Sequence, residues 1–186
     1  LITTFADITL CGCFGLFGYA SWKEEVLLHD GSKVIARRWQ KGRHRYSYER
    51  SSFVSKQSIS FRHPKTGKRI VWKDGPTKAI RNVNFDLIAL HIKEEIPYLI
   101  TQAYDCFSYN WWGRPNPPYV IFKYEDKTWK RIPLEELPPE FENVNLMMSI
   151  DKKEIPRWLG VISAKTIRKS NDSFYQRLFY RSIVRT

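Results

Sequence analysis

From Trp22 onward the hydrophobic residues fall in short alternating runs separated by turn-forming clusters, the period-two pattern of strands rather than the 3.6-residue pattern of helices. The run WKEEVLLHDGSKVIARRW holds two such segments around Asp30-Gly31, and Gly accepts the positive φ that a two-residue hairpin turn demands. VSKQSISFR and RIVWK form a second pair about the turn HPKTGK. A third hairpin is PPYVIFKYEDKTWKRIPL, turning at Glu125-Asp126-Lys127. In its first strand Tyr119, Ile121 and Lys123 share one face and Val120, Phe122 and Tyr124 the other. Both faces are largely apolar, which predicts a central strand.

NVNFDLIALHIKEEIPYLITQAY reads two ways: LIALHIKEE suits a helix, while Pro97 and the β-rich IPYLITQAY favour two strands with a turn near Glu94-Glu95-Ile96-Pro97, the reading adopted. Pro133, Pro138 and Pro139 break any long helix in PLEELPPEFENVNLMMSI, leaving a loop and a last strand over Val144 to Ile150. Ser163 is a favoured N-cap, and Ser163 to Lys169 reads as a short helix. The expected fold is mostly β, an antiparallel hairpin domain of sandwich or barrel type over residues 21–186, with a short C-terminal helix and a separate hydrophobic segment over residues 1–20.

Composition supports a folded body. The aromatic fraction is 15%, with 7 Trp, 10 Tyr and 11 Phe, enough apolar area for one core in 186 residues. The formal charge of +12 changes the picture because it is uneven: residues 33–73 carry thirteen Lys and Arg against the single Glu49, while residues 74–151 carry eight bases against twelve acids. One face is therefore strongly cationic. Arg37, Arg38, Lys41, Arg43, Arg45 and Arg50 interleave with Trp39, Tyr46 and Tyr48, and this mixture suits an anionic surface or, through phosphate contact and base stacking, nucleic acid.

A second candidate is the stretch Tyr109 to Tyr119. Its prolines hold the backbone extended, and Trp111, Trp112, Arg114 and Tyr119 either form an aromatic loop for a glycan or peptide, or the Trp pair closes one end of the β core. Chemistry is harder to find. Cys11, Cys13 and Cys106 cannot all pair, the four histidines are scattered without zinc-site spacing, and no cofactor or metal is implied. The adjacent acids Glu24-Glu25 point to opposite faces of a strand, and Cys106 with His91 carries no motif, so an enzyme is not expected.

The first twenty residues are apolar apart from Asp7 and several hydroxyls. Leu10-Cys11-Gly12-Cys13 resembles the box that ends a bacterial lipoprotein signal, with an aliphatic first residue, a small residue before the cut and Cys13 as the lipidated position. The other reading is an uncleaved membrane or buried segment, which Gly12, Gly15 and Gly18 would suit. WKEEVLLHDGSKVI and WGRPNPPYVIFKYEDKTWKRIPLEELP are in turn similar to segments of uncharacterised proteobacterial lipoproteins. That resemblance implies a membrane anchor facing the periplasm and no particular chemistry. In that location the expected partner is an anionic lipid surface or an acidic envelope protein, ahead of nucleic acid bound through residues 33–73. Intact mass spectrometry of protein purified from its own membranes should show a lipid on Cys13 and no residue before it; a mature chain that retains Gly12 contradicts the lipoprotein box.

Overall fold

The computed structural model describes residues 19–43, 53–148, 160–174 and 182–185. The first two hairpins become strands β1 (Tyr19–Leu27), β2 (Lys33–Arg43), β3 (Phe53–Arg62) and β4 (Arg69–Asp74) of one sheet. The next two become β5 (Phe85–Lys93), β6 (Ile96–Ala103), β7 (Tyr119–Glu125) and β8 (Thr128–Ile132) of a second, antiparallel sheet ordered β5-β6-β7-β8. A helix α1 (Cys106–Trp111) links β6 to β7. A two-residue strand β9 (Val161–Ile162) then adds in parallel to β1, completing the order β4-β3-β2-β1-β9, and α2 (Ala164–Phe174) follows it. The two sheets face each other as a mostly antiparallel sandwich.

Turn chemistry accounts for most of this. Glu94-Glu95 and Asp126-Lys127 are two-residue loops with positive φ at both positions, the hand that matches the twist of the flanking strands. The first hairpin differs from the expected tight turn at Asp30-Gly31. Its strands stop at Leu27 and resume at Lys33, because Leu28 stays in the core and the His29 ring packs 4.9 Å from Phe141. Asp30 Oδ1 then accepts from the Ser32 amide and hydroxyl, and Leu28 N–H donates to Ser32 O to close the wider loop.

Three apolar clusters hold the layers. Between the sheets, Val26, Ala36, Ile59, Phe61, Ile70 and Trp72 meet Phe85, Leu87, Leu90, Leu99, Val120 and Phe122. On the outer side of the second sheet, Ile88, Ile100, Ile121 and Ile132 are covered by Leu137, Phe141 and Ile183. That cover explains why β7 is buried on both faces, as its sequence predicts. The third cluster joins Ala20 and Trp22 to Met147, Ile162 and Ile167.

The last strand expected over Val144 to Ile150 is not formed across Val144–Met148; residues 149 and 150 lie outside the described residues. The chain here passes from the outer cluster at Val144 to the inter-sheet core at Leu146 and the third cluster at Met147, which no single strand register permits. Side chains replace the ladder. Asn145 Oδ1 accepts from Leu90 N–H, while its amide donates to Leu90 O and to Leu27 O, tying one sheet to the other.

Beside this strap lies a buried ion pair. Alternation turns Trp22, Glu24 and Arg38 inward, so Glu24 is 0% and Arg38 2% exposed. Arg38 Nη1 lies 3.4 Å from Glu24 Oε1 and donates to Met147 O, with its guanidinium 5.4 Å from the Trp22 ring centroid. Glu24 also accepts from Trp22 Nε1–H at 2.6 Å and from Met147 N–H. Burial pushes the Glu24 carboxyl up and the Arg38 guanidinium down, each partly offset by the other. Removing one partner strands a buried charge at a cost of about 3–5 kcal/mol. Arg38→Met should lower unfolding stability by that amount in urea titration, and adding Glu24→Gln should recover part of it; a single variant within about 1 kcal/mol of wild type would contradict the pair's role.

Candidate polyanion-binding face

The same alternation that buries Arg38 turns the other parity of β1 to β4 to solvent. Three cross-strand rungs result. One runs Tyr19, Lys41, Lys56; the next Ser21, Trp39, Ser58, Lys73; the third Lys23, Arg37, Ser60, Val71. Arg62 opposite Arg69 adds a further pair. Strands lie about 4.8 Å apart and same-face residues about 7 Å apart along a strand, so Lys23, Arg37, Lys41, Lys56 and Lys73 share a patch about 15 Å across with half-buried Trp39 among them.

Like charges directly opposite on a sheet destabilise it. Lys23 with Arg37, Lys41 with Lys56, and Arg62 with Arg69 are such pairs. Among the described residues none of Lys23, Arg37, Lys41, Lys56 and Lys73 forms an ion pair, and the one acid on this face, Glu25, is held by Lys33 at 3.0 Å near the first hairpin turn. The Lys33 contact holds the Glu25 carboxyl below its usual range.

Of the six basic residues singled out in sequence, Arg37 and Lys41 stand on this face. Arg38 does not, being inside against Glu24. Arg43 ends β2 opposite Phe53, and Arg45 and Arg50 lie outside the described residues, as does Cys13. Lys23, Lys56 and Lys73 were not singled out. Strand parity was the available signal, since reading i, i+2 across paired hairpins collects them.

The aromatic candidate divides. Asp105 Oδ1 accepts from Ser108 N–H to cap α1, and Gly113, with φ of 86°, lets Gly113 N–H reach Asn110 O and Arg114 N–H reach Tyr109 O. Trp112 turns inward, 4.8 Å from the Phe85 ring, and donates to Asn84 Oδ1. Tyr119 is buried and its hydroxyl accepts from Val184 N–H. Trp111 faces solvent at 58% exposure, and Arg114 Nε donates to Asn110 Oδ1. The four residues therefore do not converge on one ligand. A groove of about 440 Å³ does form nearby, between Pro115, the cis Asn116–Pro117 bond, Arg131, Pro133 and Glu135.

Cys106 and His91 are not brought together. His91 is fully buried, stacked 4.6 Å from Phe141 with Nε2 donating to Asn143 O, whereas Cys106 is exposed. Register pairs Phe85 with Ala103 and His91 with Tyr98, so the two lie near opposite ends of the β5–β6 hairpin, roughly 20 Å apart. No group of three metal-ligating side chains occurs among the described residues, and no helix among them is long and apolar enough to cross a membrane. Comparison with family models, with curated proteins and with solved structures finds no match.

Burial raises the Glu24, Asp74 and Asp86 carboxyls and lowers the His91 imidazole, and Asp86 and His91 illustrate the two opposite pH responses. Burial pushes the Asp86 carboxyl up to about 7 against the pull of Arg38, and Asp74 pushes it the same way. Burial drives His91 down to about 4. Between pH 4 and 7 the folded chain holds a proton on Asp86 that the unfolded chain has released, so this group lowers stability as pH rises. Between about 6.5 and 4 the unfolded chain takes up a proton that folded His91 refuses, so this group lowers stability as pH falls. The two trends oppose one another. Asp86→Asn removes the first, so the variant should gain stability over wild type at pH 8 and match it near pH 4. Thermal unfolding at both pH values checks this, and an equal offset at pH 4 and 8 would overturn the assignment.

Proposed function

We propose that this chain is a binding protein rather than an enzyme, attached at a bacterial envelope, whose five-stranded sheet engages an anionic surface or an acidic partner protein through Lys23, Arg37, Lys41, Lys56 and Lys73. One observation carries the reading: same-sign side chains stand directly opposite each other in two of these three rungs, Lys23 with Arg37 and Lys41 with Lys56, and no acid stands in any of the three. Such an arrangement costs stability in the free protein, and a bound polyanion reverses the sign of that term by satisfying all the cations at once. The sheet supplies rigidity. Its other face packs into the inter-sheet core, so ordering the patch adds little entropy cost on binding.

A second reading is favoured by Trp39, which lies among Arg37, Lys41 and Lys73 as a stacking platform for an unpaired base. It gives single-stranded nucleic acid a place on the same face. The envelope setting drawn from the Leu10–Cys13 box ranks it below the anionic surface.

Replacing Arg37, Lys56 and Lys73 with Glu leaves the core untouched, since all three are exposed. The triple variant should elute from immobilised heparin at markedly lower salt than wild type, with apparent affinity for heparin reduced about a hundredfold at low ionic strength, because each basic residue near an anionic surface contributes on the order of 1 kcal/mol. The wild-type interaction should itself weaken steeply with salt. Unchanged elution and salt dependence would reduce the patch to a solvated face. Competition by a thymidine oligonucleotide stronger than by vesicles of anionic lipid would promote the nucleic-acid reading.

A further inference from the structure

The six-residue helix α1 presents Phe107 and Trp111, four positions apart on one helical face, at 76% and 58% exposure. With Ala79, Ile80 and Asn110 they line a shallow, almost wholly apolar depression of about 290 Å³. Two large aromatic side chains held outward on an element this short are not fraying. Asp105 caps the start, the Gly113 turn closes the end, and Trp112 is anchored to Asn84 and Phe85 directly beneath. Ile80 is fixed as well, since Thr77 and Ile80 exchange two hydrogen bonds across their turn.

The position of the patch identifies its partner. The loop that carries Ala79 and Ile80 leaves β4 at Gly75, against which the stem of Lys56 rests, and returns to β3 through Val83 N–H to Val54 O. It therefore sits at the end of the sandwich where Lys41, Lys56 and Lys73 form the last cationic rungs. Its own flanks are Lys78, Arg81 and Arg114, all exposed, while Asp105 is engaged in the helix cap and Asp74, at the foot of the loop, accepts from Gln57, Asn84 and Phe85. Rigid aromatics rimmed by cations and continuous with a cationic plane match a bilayer interface, where aromatic side chains settle at headgroup level and basic residues meet anionic headgroups.

We infer that Phe107 and Trp111 form a wedge that enters the interfacial layer of an anionic lipid bilayer, seating the cationic sheet face on the headgroups. This rests on the polyanion-binding reading of that face and adds the class of surface and the point of insertion.

The full chain is tested on vesicles of equal phosphatidylglycerol and phosphatidylcholine, with heparin as a polyanion that offers no acyl phase. Phe107→Ala with Trp111→Ala should weaken vesicle binding roughly tenfold or more, in line with the apolar area withdrawn from lipid, and leave heparin elution unchanged. Acyl chains brominated near the headgroup should quench wild-type tryptophan emission, and Trp111→Phe should abolish most of that quenching without any truncation of the core. Vesicle binding unchanged in the double variant, or quenching unchanged in Trp111→Phe, overturns the wedge while wild-type heparin binding still upholds the sheet face. Loss of a self-associated species in sedimentation, with vesicle binding intact, assigns the patch to protein docking and also overturns it. Wild type that binds neither heparin nor vesicles removes the polyanion reading itself.

Discussion

The need to satisfy Glu24 and Arg38 inside the sandwich constrains much of the rest. A carboxylate and a guanidinium removed from water demand hydrogen bonds on nearly every side. Trp22 Nε1–H and Met147 N–H supply two to Glu24, and Met147 O receives one from Arg38. Those bonds draw the Asn145–Met147 strap between the layers, and Asn145 then links Leu27 of the first sheet to Leu90 of the second. The strap in turn delivers Leu146 to the core and Met147 to the base of β9 and α2. Fixing Arg38 inward also fixes Arg37 outward, so the parity that builds the interior builds the exposed face as well.

Much of the architecture was legible because turn chemistry is local. Glu94-Glu95 and Asp126-Lys127 bracket runs with clear alternation, and the twist of a two-residue hairpin leaves little freedom in pairing. The cationic block was legible as composition but was misread at Arg38, since consecutive strand residues cannot share a face. Helix α1 had its signals in sequence, Asp105 at the N-cap and Gly113 at the C-terminal turn, yet the surrounding prolines and paired tryptophans read as a loop. Nothing local marks β9 or the strap. Two residues of ladder and a set of side-chain bonds across more than a hundred positions exist only once the sheets have met.

The candidate site shows the same division. Lys23, Lys56 and Lys73 lie on three different strands, so their proximity follows from register, and register is set jointly by the bulge at Lys41/Gly42 and the inward hydrophobic set. The opposing-rung arrangement is likewise a property of pairing that no charge count reveals. The aromatic stretch resolved into opposite duties because a helical turn separates neighbours by about 100°, sending Trp112 into the Phe85–Phe122 cluster and leaving Trp111 outside.

The distribution of ion pairs argues that the cationic face is not a by-product of a basic composition. This chain pairs its charges readily elsewhere: Lys93 with Glu140, Lys123 and Lys130 with Glu125, Lys130 with Asp126, and Lys65 with Glu95. All of these involve the second sheet, its hairpin turns or the segments that flank it. On the outer face of the first sheet the single pair among the described residues is Lys33 with Glu25, at the end nearest the first hairpin turn. Lys41, Lys56 and Lys73 stand at the other end of β2 and β3, where the loop that carries Ala79 and Ile80 meets the exposed Phe107 and Trp111. In the second sheet Lys123 also stands opposite Lys130, but there Glu125 lies within ion-pair distance of both, and among the described residues no acid does the same for Lys41, Lys56 or Lys73. That leaves uncompensated cations beside the exposed aromatic patch, a local positive field of the kind that attracts an anionic surface before contact is made.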